Sequence, residues 1–99
     1  MPRVEESELV GWRNLDAATV LLALADFAKK DVTFEPIKDQ TTARWHARVA
    51  GREFELLLTG KKFFDTRAEI GGGGAIDLAI HLLACDFRTA ATVLRKVKV

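Results

Sequence analysis

Two adjacent stretches of this chain hold the residue types that could do chemistry. From Thr42 to Arg67, cations and aromatics interleave: Arg44, His46 and Arg48 take every second position of TTARWHARV, and Lys62, Phe64 and Arg67 follow in KKFFDTR. Six Lys and Arg stand there against three acids between Arg44 and Arg67. Such a surface suits single-stranded nucleic acid, because the cations neutralise phosphates while an unstacked base lies on an aromatic ring. Immediately downstream, Gly71 to Gly74 precede the helical run AIDLAIHLL. Glycines before a helix can bring backbone N–H groups to a phosphate. The detail argues otherwise: no Gly-Lys-Ser/Thr or GxGxxG spacing is present, and Asp77 in the first helical turn repels an anion. A Cβ-free joint between sheet and helix is the reading that remains. His81 and Cys85, four apart on that helix, have metal-ligand spacing, but two residues make half a site and packing on an apolar face accounts for both. No Ser/His/Asp set or carboxylate cluster stands out, which predicts a non-catalytic module without metal or cofactor.

The elements that must position these groups follow from period and punctuation. Residues 1–13, with Pro2 and three glutamates, read as an N-terminal arm that Trp12 pins to the rest, and residues 14–99 as one domain. A helix is predicted over 15–29, with Asn14 as N-cap, Asp16 at its positive end and Lys29 and Lys30 at its negative end. Its apolar residues leave little polar face, so it is either buried on most sides or the seam of a homodimer. VTFEPI at 32–37 reads as an edge strand because Pro36 cannot donate to a ladder. TTARWHARV alternates strictly, turns at Ala50-Gly51 into REFELLL, and turns again at Thr59-Gly60 into KKFFDT. Residues 66–73 read as a loop, and two helices follow, from about Ala75 to Ala84 and from the N-cap Asp86 to about Lys96. The expected class is α+β: a four-stranded antiparallel meander with one N-terminal and two C-terminal helices covering one face.

A turn at Ala50-Gly51 places Arg48 opposite Glu53, His46 opposite Glu55 and Arg44 opposite Leu57. Carried through the second turn, the register puts Leu57 beside Lys62 and Glu55 beside Phe64. Phe63 then joins Trp45, Phe54 and Leu56 inside, while Arg44, His46, Arg48, Lys62, Leu57 and Phe64 face out. The alternative is an ordinary solvated face, with Arg48–Glu53 and His46–Glu55 as cross-strand pairs and Phe64 covered by the first helix.

Composition narrows the setting. The charges nearly cancel, 15 Lys and Arg against 14 Asp and Glu, so any affinity for nucleic acid has to be local. The longest largely apolar run, Ala17 to Ala25, is far below the roughly 20 residues that span a bilayer. The charged opening MPRVEESELV is unlike a signal peptide, and the single Cys85 builds neither an internal disulfide nor a cysteine-rich zinc site, so a cytoplasmic location is expected.

The order of elements and the segment GGGGAIDLAIHLLACDFRTAATVLRK resemble the C-terminal half of the zinc-ribbon domain of bacterial DnaG-type primases. The variety most similar accompanies toprim primase-like proteins of plasmids and other mobile elements. Gly72, Gly73, Gly74, Ala75, Ile76, Asp77, Phe87, Ala90 and Leu94 carry the match, which covers about residues 42–96. The resemblance implies recognition of a single DNA strand beside a primase, toprim or helicase-type replication protein. The chain departs from the family where that ribbon holds zinc: RWHAR and DTRAEIGGGG stand in place of its paired ligands, and no cysteine is there. The ligands are lost, and Trp45, Phe54, Leu56 and Phe63 are expected to supply the stabilisation that zinc gave.

Overall fold

The computed structural model describes residues 5–97 and 99. In chain order its elements are α1 (Glu6–Arg13), α2 (Ala17–Leu24), β1 (Phe27–Lys30), β2 (Ala43–Val49), β3 (Arg52–Thr59), β4 (Lys62–Asp65), β5 (Ile70–Gly73), α3 (Ala75–Leu83) and α4 (Phe87–Val97). The class is α+β, with all five strands in one antiparallel sheet of order β1-β2-β3-β4-β5.

Strict alternation over residues 43–59 makes β2 and β3 the middle of the sheet. Ala50 (φ 50°) and Gly51 (φ 79°) form the two-residue, left-handed turn that suits strand twist. That turn fixes the expected pairs Arg48–Glu53, His46–Glu55 and Arg44–Leu57. On the inner face Ala47, Val49, Phe54, Leu56, Leu58 and Phe63 are buried against Val20 and Leu21 of α2, Leu78, Ala79 and Leu82 of α3, and Ala90, Ala91 and Leu94 of α4. Trp45 packs at the margin of this core. Each fully buried leucine among them contributes about 1.5–3 kcal/mol, so the helices hold the sheet by area more than by specific bonds. α1 is docked from the other end: Trp12 is 5% exposed, and Arg95 of α4 grips Glu8 with two hydrogen bonds of 2.8 Å.

Five expectations change. The predicted helix 15–29 ends at Leu24; Ala25 is extended, and Phe27–Lys30 pairs with β2 as the edge strand. A ladder with β2, begun by Asp26 N–H donating to Arg48 O at 2.8 Å, outweighs the helical propensity of that stretch. Asn14 is consequently the C-cap of α1, while Asp16 is the N-cap of α2. VTFEPI is no strand, because the slot beside β2 is taken; residues 31–42 instead form a loop whose ends are built on Asp31 and Asp39. Residues 70–73 of the expected loop are a fifth strand, and residues 6–13 of the expected arm are helix; residues 1–4 lie outside the described ones.

The fifth change is a register. The second turn is Gly60-Lys61, so Leu57 sits beside Phe64, Thr59 beside Lys62 and Leu56 beside Asp65. Gly60 takes the first loop position with φ 57°, and its carbonyl accepts the Ala17 N–H at 2.8 Å. A displacement by an even number of residues leaves every side chain on its expected face. No helix among the described residues is long and apolar enough to cross a membrane.

Candidate nucleic-acid interface

Pairing dictates which side chains share the outer face: Phe27 and Lys29 from β1; Arg44, His46 and Arg48 from β2; Glu53, Glu55, Leu57 and Thr59 from β3; Lys62 and Phe64 from β4. Five of the six residues expected to bind are therefore together. Arg67 is apart from them, exposed in the turn that joins β4 to β5.

Acids hold much of the positive charge on this face. Arg44 donates from Nε and Nη2 to Asp31 Oδ2 (2.9 and 2.5 Å), and its guanidinium carbon stands 5.2 Å from the centre of the Phe34 ring. The Thr33 hydroxyl, followed by the Arg44 guanidinium, holds the Asp31 carboxyl far below the usual carboxylate range. His46 lies between Asp31 (3.7 Å) and Glu55 (3.9 Å). Arg48 meets Glu53 at 2.7 Å, a pair more than half exposed on both sides and worth under about 1 kcal/mol. Among the described residues Lys29 and Lys62 make no direct ion pair, although Lys62 lies near enough to help lower the Asp39 carboxyl, which the Thr41 hydroxyl and N–H lower more.

Phe64 is not covered by the first helix; it is 41% exposed. Its neighbour across the ladder is Gly71, where an added Cβ would stand 3.2 Å from Phe64 Cδ1. On the opposite face, a Cβ on Gly72 would stand 2.9 Å from Phe63 Cε1. The glycine run is thus a bare strand on which two aromatic rings rest, one per face, and only then a joint to α3 at Gly74 (φ 92°). Such cross-strand cover is what lets a glycine-rich edge pair at all.

The loop 31–42 leans over this face. Between it and the sheet lies an open groove of about 680 Å³, with Phe34, Ile37, Leu57 and Phe64 on its walls. Ile37, 94% exposed, and Phe34 were not among the expected residues. The pattern Asp-x-Thr, present at Asp31-Thr33 and again at Asp39-Thr41, was the available signal: each carboxylate accepts the N–H and hydroxyl two residues on, the mark of an ordered turn rather than a strand.

Behind the sheet, His81 Nε2 and Asp65 Oδ2 are 2.7 Å apart, and Asp65 Oδ1 accepts the Arg67 and Ala68 N–H groups. Phe63 stacks on the His81 ring at 5.6 Å and Phe54 meets it edge-on at 5.8 Å. This cluster ties the β4–β5 turn to α3. Cys85 faces the Ala79 carbonyl at 3.9 Å, and burial pushes its thiol pKa up, so the two residues do not converge on a metal position. No group of three or more His, Cys, Asp or Glu among the described residues could hold a metal ion, and His46, between two carboxylates with no cysteine near, does not fit the structural zinc of a ribbon. Comparison with protein-family models, with curated proteins and with solved structures finds no match for this chain.

Proposed function

We propose that the outer sheet face binds single-stranded DNA, as a non-catalytic accessory module of a primase-like replication or transfer system of a mobile element. The observation that carries this reading is Phe64, braced on Gly71, partly open to solvent and next to Lys62 and Leu57 on a face that also holds Lys29, Arg44 and Arg48. A base stacks on such a ring while its phosphates reach the flanking cations. The primase-ribbon resemblance supports the same reading and supplies the partner class: a toprim primase or helicase-type replication protein.

Magnitudes limit the affinity. With Asp31, Glu53 and Glu55 set against Arg44, Arg48 and part of His46, about two or three cations remain for phosphates, so the logarithm of the affinity should fall with a slope of about −1.5 to −2 against the logarithm of salt. A fluorescence anisotropy titration with labelled single-stranded and duplex DNA at 20–200 mM salt, about the range over which phosphate contacts are lost, measures it. No binding at low salt sinks the reading.

A second reading rests on a different observation: Leu22 on α2 and Phe27 on the edge strand β1 are each 57% exposed. A homodimer or protein partner seated on α2 would cover Leu22. Light scattering that finds a stable dimer, lost in Leu22→Glu, together with no DNA affinity, favours this second reading.

A further inference from the structure

Resting on the proposed strand-binding role, we infer that the groove between the 31–42 loop and the outer sheet face holds one unpaired nucleobase. Phe34 and Ile37 grip it from the loop side, Leu57 and Phe64 from the sheet side. The volume of about 680 Å³ falls within the roughly 300–1,000 Å³ of small-ligand clefts and exceeds what one base fills, leaving room for its sugar.

Charge selects this occupant over a wholly apolar one. Lys38 on the loop and Lys62 on the sheet line opposite walls, and neither makes a direct ion pair among the described residues. Asp39, also on the rim, has one carboxylate oxygen committed to the Thr41 N–H (2.8 Å) and hydroxyl (2.6 Å). Flat apolar walls with an ammonium at either side match the alternation of base and phosphate along an unpaired strand. Asp39 keeps its charge, so two acids, Glu35 and Asp39, stand on the lining beside the two lysines, and Glu35→Gln should tighten binding by tipping that balance towards the cations. The loop keeps its place by being tethered rather than packed: Asp31 is tied to Arg44, and Thr42 Oγ1 to Thr59 Oγ1 at 2.6 Å.

The test compares a thymidine oligonucleotide with an abasic oligonucleotide of the same length and charge, in the full chain. The wild type should prefer the base-bearing strand by roughly tenfold or more. Ile37→Ser, at a position 94% exposed and so without effect on folding, and Phe34→Ala should each cut that preference several-fold. Equal binding of both strands by the wild type overturns the base pocket although strand binding survives. Preference retained in both variants likewise overturns it, by moving the base elsewhere. A dimer in sedimentation that Ile37→Ser dissociates, without base preference, assigns the groove to a second copy and also overturns it. Absence of binding to either strand defeats the strand-binding role itself.

Discussion

Gly71 and Gly72 show how a residue type can be required for what its neighbour does. Neither has a positive φ, so neither is there for backbone freedom. Each is there because a ring occupies the space of its Cβ: Phe64 Cδ1 at 3.2 Å on the outer face, Phe63 Cε1 at 2.9 Å on the inner. The two differ in what can yield. Phe63 is 5% exposed and stacked on His81, so Gly72→Ala forces a buried ring to move and should destabilise by about 1–3 kcal/mol, read as a lowered urea midpoint at unchanged slope. Phe64 can tilt outward, although the Phe63 carbonyl 3.3 Å from the same Cβ cannot, so Gly71→Ala should weaken DNA binding by displacing the ring from its brace. If Gly72→Ala is as stable as the wild type, Phe63 is not held where the packing places it.

At the scale of elements, the 31–42 loop governs the charge of the face beneath it. Asp31→Asn keeps an acceptor for the Thr33 N–H but removes the charge that holds Arg44. Arg44 becomes available to a phosphate, so the salt slope should steepen by about 0.7 and low-salt affinity should rise. An unchanged slope would mean that Arg44 does not reach the strand. The same loop marks where the sequence was hard to read. The β2–β3 hairpin was legible because period and turn residues agree, and Asp86 announced α4 by its bond to the Thr89 N–H at 2.8 Å. Asp26 to Lys30 misled because an apolar, lysine-ended stretch fits a helix terminus locally, and only pairing with β2, 15 or more residues away in sequence, makes it a strand. The glycine strand was hidden for the same reason: its support comes from rings on another strand. The five sheet-borne candidates were legible because alternation alone sets a face, whereas their neutralisation by Asp31 depends on a loop whose path no period encodes.

For the whole molecule, acid is the informative stress, because several carboxyls are worth more to the folded state ionised than protonated. Arg95, then the Glu5 N–H, hold Glu8 down to about 2; hydroxyl and N–H donors lower Asp31, Asp39 and Asp86. Asp65 differs from these in being buried, 4% exposed. Burial pushes its carboxyl up, but the Ala68 N–H, His81 and the Arg67 N–H together more than offset that, and its pKa lies below the ordinary value. A folded-state pKa lowered in this way contributes stability above the ordinary carboxylate range of about 4, and that contribution is lost as pH falls through the folded value. Asp39 and Asp86, which are exposed, contribute in the same direction but are screened by salt; the half-buried Glu8 and Asp31 are screened less, and the buried Asp65 least. Melting curves from pH 7 to pH 2 should therefore show Tm nearly level down to about pH 4 and falling below it, in high salt as in low. Asp65→Asn should lower Tm at neutral pH, since His81 loses its charged partner, and should flatten the acid limb in high salt. If the variant keeps the full acid slope in high salt, the half-buried Asp31 and Glu8 rather than Asp65 set the acid limb.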